Sequence, residues 1–362
     1  MFTFPSEPPW LAESTILVTR AGSHAYGTST PTSDEDYRGI AIPPLSYWIG
    51  YGLHRFDQCV RTEPVDLTIF GLAKYLALAA DANPNILEQL FCADEDVVHW
   101  TWYGEELRKN RNMFLSKRCL YTYSGYAMAQ LKRIKGHREF LLHPKEEKPT
   151  RAQFGLPDHQ SAIPADQLKA AQASINKQIA KWVSPAYLEL VDEGLRIELE
   201  HLIHDHLEEL GMALDESLWP AAARTLGFDT NFMELLERER GYHGAMKQWE
   251  QYQTWKKERN EARAALEAKW GYDTKHGMHL VRLMRTCREI LTEGTIHVRR
   301  PDAEELLAIR NGLWTYEEIV SWAKKQDEEL REVVLTSTLP KEPNRNNIQM
   351  LCMSLVRDRL DI

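Results

Sequence analysis

Cysteine is scarce and scattered in this chain. Five occur in 362 residues (Cys59, Cys92, Cys119, Cys287 and Cys352), and no two form a C-x-x-C pair. That spacing offers neither a disulfide framework nor a zinc knuckle, and it suits a reducing cytoplasm. Long hydrophobic runs are missing too. No stretch approaches the ~18 uncharged apolar residues of a membrane helix, so no span is expected. Met1 to Trp10 holds prolines and lacks a basic stretch before an apolar one, which is not a signal-peptide pattern. No repeat period is visible. Positive charge is not in excess either: the formal net charge is −9, which taken alone argues against a nucleic-acid binder.

The average hides an asymmetry. Residues 108 to 151 carry twelve Lys/Arg against three Glu, and residues 275 to 300 carry six against two. Residues 186 to 240 carry fourteen Asp/Glu against four Arg. Segregated basic regions of this kind can hold polyanions locally. Hydrophobic residues at 43% and charged residues at 27% mark a globular chain, long enough for one large domain or two ordinary ones.

Patterning divides the chain. Ser14 to Arg20 is β-branched and apolar and predicts a strand. Ala21 to Gly27 predicts a tight turn opening a short helix. Asp34 to Ile42 predicts a second strand, and Val65 to Phe70 a third that runs into a helix over Gly71 to Ala80. Asn83-Pro84-Asn85 breaks the chain before a helix at Ile86 to Phe91. Beyond residue 110 helical periodicity dominates, at Leu120 to Leu142, Gln167 to Trp182, Tyr187 to Leu210, Phe232 to Trp270, Met278 to Leu291 and Ala303 to Ala308. Residues 143 to 164, with four prolines, predict a loop or insertion. The fold class expected is an α/β (α+β) head over residues 1–110 with a large, mainly helical remainder over 111–362.

The chemistry concentrates at the front. Asp34 and Asp36, two apart in a strand, face one side. Two carboxylates that close repel unless a cation lies between them. Mg²⁺ (or Mn²⁺) is the natural one, because it takes carboxylate oxygens and keeps room for phosphates. Asp66, opening the next strand, is the third candidate ligand. Three acids and two metals suit in-line displacement at phosphorus. Gly22 lets the backbone approach a phosphate, and the Ser23 hydroxyl and nearby amides can hold a triphosphate. No G-K-[ST] follows, so this is not a Walker loop. Arg38 is a candidate phosphate contact or a structural ion pair. Glu35, between the paired acids, faces away.

The order Gly22-Ser23, ten residues, Asp34-Glu35-Asp36, then Asp66 resembles the signature of the DNA polymerase β-like nucleotidyltransferase superfamily. The wording from Gly22 to Ile40 is similar to the RlaP-type branch, associated with RNA repair and also found in phages. Leu72 to Leu76, Asn83 to Glu88, Gly271 to Leu280 and Arg299 to Asp302 carry the same likeness, so it covers the front hundred residues and roughly 255 to 310. Gly277 departs from it, because alanine stands there in the branch, and a glycine would loosen the helix start by up to ~1 kcal/mol. The resemblance implies an enzyme that moves NMP from an NTP with metal help. It implies Gly22 and Ser23 on triphosphate and Asp34, Asp36 and Asp66 on metal, in a bacterial or phage-infected cytoplasm.

A second set follows Gly271. If helical, Lys275, His279 and Arg282 share a face, with His276 near it, and Leu280, Leu283 and Met284 lie opposite. This is a positive stripe for a triphosphate or RNA backbone, or an ordinary basic helix face. The histidines lack a Glu or Cys to complete a zinc set. Tyr121, Tyr123, Tyr126, Lys132, Arg133, Lys135 and His137 mix aromatic and basic residues as an RNA surface does, or as a helix with one buried face does. Trp249, Tyr252 and Trp255 form a stripe expected in a core. His201, His204 and His206 sit among acids and are weak metal candidates. The leading expectation is NMP transfer to an RNA end, tRNA included. The alternatives are transfer to a protein or small molecule, or a non-catalytic nucleotide- or RNA-binding module.

Overall fold

The computed structural model describes residues 3–49, 55–63, 65–158, 161, 163–183, 222–259 and 261–362. The helix expected at Tyr187 to Leu210, with His201, His204 and His206, lies outside the described residues. The chain divides into two compact units, Met1–Leu142 with Asn260–Ile362, and His143–Arg259.

The first unit is built on a five-stranded sheet of order β3-β4-β2-β1-β5. Strand β1 (Thr15–Ala21) lies antiparallel to both β2 (Asp36–Ala41) and β5 (Val97–Trp100). Strand β4 (Asp66–Gly71) runs parallel to β2 and antiparallel to β3 (Gln58–Arg61). In β1 every residue but Arg20 is buried, as expected of a central strand covered on both faces. One face of the sheet, with Val18, Tyr37, Ala41, Leu67 and Ile69, packs on Leu11. The other, with Leu17 and Ile40, packs on the helices that carry Tyr75, Leu87, Leu131 and Met284. A mixed α/β head with a large helical remainder is therefore the observed architecture.

Two long helices dominate that remainder, Cys119–Leu142 and Thr274–Glu293, and they pack on each other. The second buries Met278, Leu280, Val281, Leu283, Met284, Cys287, Ile290 and Leu291, a stripe at helical spacing. Its start is fixed by the Asp273 side chain, which accepts from the amides of Lys275 and His276. At this start stands Gly277. It lets the Tyr272 ring lie against the backbone, where an added Cβ would stand 3.1 Å from a ring carbon.

The second unit holds the helices Ala165–Val183 and Thr230–Glu258. Its small core gathers Ile163, Leu168, Ala171, Ile175, Ala222, Ala223 and Leu236. Buried Glu239 receives Arg151 at 2.6 and 3.1 Å. In the Trp249, Tyr252, Trp255 stripe Tyr252 alone is buried, its hydroxyl donating to Glu146 at 2.8 Å, while Trp249 and Trp255 are half-buried beneath Lys148 and Arg259.

Several boundaries differ from the sequence expectation. The second strand begins at Asp36, because a turn around Thr30 and Ser33 extends the lead-in and leaves Asp34 outside the ladder. The helix expected over Phe232 to Trp270 is two, Thr230–Glu258 and Glu261–Trp270, with Arg259 extended between them. The helices Trp102–Lys109, Tyr316–Thr336 and Arg345–Leu360, and strands β3 and β5, were not anticipated. All five cysteines are free, and no helix among the described residues is long and apolar enough to cross a membrane.

Candidate active site

The parallel pairing of β2 and β4 sets the site. Asp36 and Asp66 are the first residues of their strands and stand opposite each other in the ladder. Partners in register project from the same face of a sheet, so the two carboxylates face the same space. Asp34 lies two residues before Asp36 in the lead-in. Asp34 and Asp66 are exposed and Asp36 is half-buried. The Asp36 carboxyl is raised above its ordinary value, first by burial and then by the charge of Asp66, with Asp34 adding to it and Arg38 and Lys275 opposing. The charges of Asp66 and Asp34 raise the cost of ionising Asp36, and among the described residues none of the three side chains has a hydrogen bond or ion pair, so the three acids are a donor set suited to a hard divalent cation.

Gly22 is forced by two constraints. Its φ is +63°, and a Cβ built there would lie 2.3 Å from Asp36 Oδ2. Any side chain would collide with the carboxylate and would also strain the backbone. Gly22 opens the five-residue helix Gly22–Tyr26, whose second residue is Ser23 and which closes at Gly27 with φ +73°.

Beneath this turn lies a buried network. The Tyr26 hydroxyl donates to Glu88 Oε2 at 2.6 Å, and Arg282 donates to Glu88 Oε1 at 2.5 Å. The Arg282 guanidinium also lies over the Tyr26 ring, 3.8 Å from its centroid. Burial works against its charge, but Glu88 and Tyr26 outweigh it and hold the guanidinium charged. Arg38 donates to the Asn85 carbonyl at 2.8 Å, and Gln89 donates to the Arg38 carbonyl at 2.9 Å. The helix Pro84–Phe91 thereby ties β2, the Gly22 turn and the helix Thr274–Glu293 together. Arg300 adds a clamp, donating its amide to the Tyr26 carbonyl at 3.0 Å and its side chain to Glu289 and Asp302.

The basic set is divided by this packing. Lys275 is half-buried and reaches the acids electrostatically: Asp34 raises its pKa, while burial, the leading cause, and Arg263 and Arg310 lower it. His279 is pushed well below its ordinary value, first by burial and then by Arg282 and Lys275. Arg282 is buried and paired with Glu88, and is not a solvated member of a stripe. His276 turns into a separate cluster, where Nδ1 meets Gln130 Oε1 at 2.6 Å and Nε2 meets Arg263 at 3.2 Å. Burial, followed by the opposing pull of Asp273 and the repulsion of Arg263, brings its pKa down to about 4. A uniform positive face is therefore not what the fold makes of these four residues. Their three- and four-residue spacing fixed the helix face, but not the partners that the other helices bring to it.

Glu88 and Gln89 were missed as site residues. The available signal was an acid inside an apolar helical pattern, Ile86-Leu87-Glu88-Gln89-Leu90, which implies a buried partner of opposite charge. On the helix Cys119–Leu142, Tyr123 is buried while Tyr121, Tyr126, Lys132, Arg133 and Lys135 are exposed.

These features carry the comparison with known proteins. Residues 11–150 match the RlaP family model, described as RNA repair pathway DNA polymerase beta family. Over that stretch the resemblance carried by Gly22-Ser23 and Asp34-Glu35-Asp36 is borne out. The match supports a nucleotidyltransferase in general terms, with a link to RNA repair. A 140-residue stretch, 34% of the chain, is 29% identical to an Enterobacteria phage T4 protein named "Uncharacterized 38.9 kDa protein in nrdC-mobD intergenic region". The chain spans 40% of the length of that curated relative. No solved structure matches.

Proposed function

We propose that the protein transfers NMP from an NTP to a hydroxyl at an RNA end, using Asp34, Asp36 and Asp66 to hold Mg²⁺ or Mn²⁺. One observation carries this reading: Asp36 and Asp66 face each other across a parallel ladder, with the Gly22 backbone against the Asp36 carboxylate. In this reading the transferase head is residues 1–110, followed by a mainly helical region over 111–362 in which 143–164 opens the separate unit His143–Arg259 as an insertion. In this reading Gly22 and Ser23 cradle the triphosphate. Lys275 adds positive charge over Asp34 and Asp36, where the leaving pyrophosphate gathers negative charge. Arg38 sits beside Asp36 and holds β2 in place through Asn85, and His279, one turn beyond Lys275, offers a neutral imidazole. Asp66 orients the acceptor hydroxyl. The acceptor oxygen bonds to the α-phosphorus as the bond to the bridging oxygen breaks, and pyrophosphate departs with the electron pair. Bound metal would supply charge neutralisation at the phosphates and a lower pKa for the attacking hydroxyl.

An RNA acceptor is favoured by the exposed Tyr121, Tyr126, Lys132, Arg133 and Lys135 on one helix, aromatic and basic side chains of the kind that stack bases and hold phosphates. The test is transfer from each α-³²P-labelled NTP with Mg²⁺ or Mn²⁺ and bulk tRNA, beside an Asp34→Asn/Asp36→Asn variant. Label on RNA that needs both acids supports the proposal. Label on protein instead moves the acceptor to the protein class, and label in the variant as strong as in wild type overturns the assignment of the acids.

A further inference from the structure

A second metal-ligand constellation lies apart from the three acids, on side chains that the transfer reaction does not use. His137, Asp273 and His276 each offer a donor atom, all within 4.8 Å of one another. They come from different places in the chain. His137 is on the helix Cys119–Leu142, Asp273 caps the helix Thr274–Glu293, and His276 is one turn in. Glu267, on the helix Glu261–Trp270 and almost fully buried, reaches His137 Nδ1 at 3.3 Å. Sequence spacing showed the pair His276 and His279 and no completing ligand set, because His137 and Glu267 come from other helices and Asp273 precedes the helix as its cap.

Three details give the cluster the features of a ligand set. His276 Nδ1 donates to Gln130 Oε1 at 2.6 Å, which fixes the tautomer and leaves the Nε2 lone pair facing the cluster. Asp273 has no accessible surface, and its Oδ2 makes no hydrogen bond although Oδ1 caps the helix. That oxygen lies 3.5 Å from His276 Nε2. Two ligands of a tetrahedral zinc ion stand roughly 3.3 Å apart, from bond lengths of about 2.0–2.1 Å. Positive charge is already drawn to this place: the Arg263 guanidinium sits 3.2 Å from His276 Nε2 and 3.8 Å from Asp273 Oδ2. Its side chain is 39% exposed, so it has an outward path when a metal takes its position.

We propose that His137, Asp273 and His276, with Glu267 held against His137, form a binding site for a divalent transition metal, zinc above all. Two imidazoles and a carboxylate, with water completing the shell, suit zinc and disfavour magnesium, which takes oxygen donors. The ion would join three helices at the start of Thr274–Glu293, two residues from Lys275. Its role is to hold that helix end against the acids, and no chemistry is assigned to it.

Direct metal binding tests the site independently of transfer. The chelator-stripped full chain is titrated with zinc against a chromophoric competitor, beside Asp34→Asn/Asp36→Asn and His137→Ala/His276→Ala variants. A single tight equivalent is expected in wild type and in the Asp34→Asn/Asp36→Asn protein, and none in the histidine variant. Two milder changes serve if that variant does not fold. Asp273→Asn keeps the helix cap while removing a ligand charge and should weaken binding more than ~10-fold, and Gln130→Leu should weaken it by roughly 10–100-fold. Cobalt in place of zinc should give tetrahedral d–d bands without thiolate charge transfer. The proposal is overturned by absence of a tight equivalent in wild type, by zinc binding that His137→Ala/His276→Ala and Asp273→Asn leave unchanged, or by thiolate bands that assign the metal to cysteine.

Discussion

Glu88 and Asp36 sit on neighbouring elements of one unit, and their charges meet opposite treatment. Glu88 is buried, receives a hydrogen bond on each oxygen, and faces the Arg282 guanidinium at 2.5 Å. Asp36 is half-buried beside two other acids and, among the described residues, has no hydrogen bond or ion pair. A satisfied buried pair fixes geometry, whereas unpaired acids held together cost stability in the absence of a cation. The first arrangement supports the second: Glu88 holds Tyr26, and Tyr26 closes the short helix that begins at Gly22.

This contrast can be broken from either side. The largest effect is expected at Asp66→Asn, which should lower transfer on the order of a thousandfold, the scale of a lost transition-state contact, with urea stability unchanged or improved. Transfer within severalfold of wild type would remove Asp66 from the site. On the other side, Arg282→Met leaves Glu88 buried and unpaired and should cost about 3–5 kcal/mol in urea unfolding. Changing both, Glu88→Leu with Arg282→Met, should recover most of that loss, and a double variant no more stable than the single would contradict a buried ion pair. Gly22→Ala couples the two regions. The new Cβ displaces the Asp36 carboxylate, so transfer should fall by about a hundredfold, the cost of a misplacement near 1 Å, while the fold survives. Activity close to wild type would mean that Asp36 need not sit where it does.

The smallest effect is a change of sign. Asp36 is raised above its ordinary value of 3.8, so between that pH and its raised pKa the folded state binds more protons than the unfolded state. Stability of the metal-free protein should therefore fall as pH rises through this window and stay lowered above it. Metal-free Asp36→Asn should melt higher than wild type at neutral pH, and added Mg²⁺ should raise the wild-type Tm more than the variant's. A metal-free variant that melts lower would show that Asp36 is stabilising and that the contrast with Glu88 is misplaced.

The legible parts of the site were the local ones. Gly22, Ser23, Asp34 and Asp36 fall within fifteen residues, so chain order alone makes them neighbours. The parallel strand pair brings Asp66 to Asp36, and the apolar residues that follow each acid marked the two strands. Arg282 shows the limit. Its spacing from Lys275 placed it on the right helix face, yet Glu88, distant in sequence, decided that it is buried and paired. His276 shows the same limit, since Gln130, His137 and Arg263 come to it from other helices.

What the sequence by itself determined is the α/β head, the helical remainder and the nature of the front motif, because strand alternation, helical periodicity and a glycine turn act over a few residues. The tertiary structure alone decided which charges meet. It set Asp36 opposite Asp66, enclosed Arg282 with Glu88, and gathered His137, Glu267, Asp273 and His276 from three helices and a cap. The physical reason is that a charge takes its energy from everything packed within a few ångströms of it. Those neighbours come from segments whose separation along the chain carries no record of their distance in space.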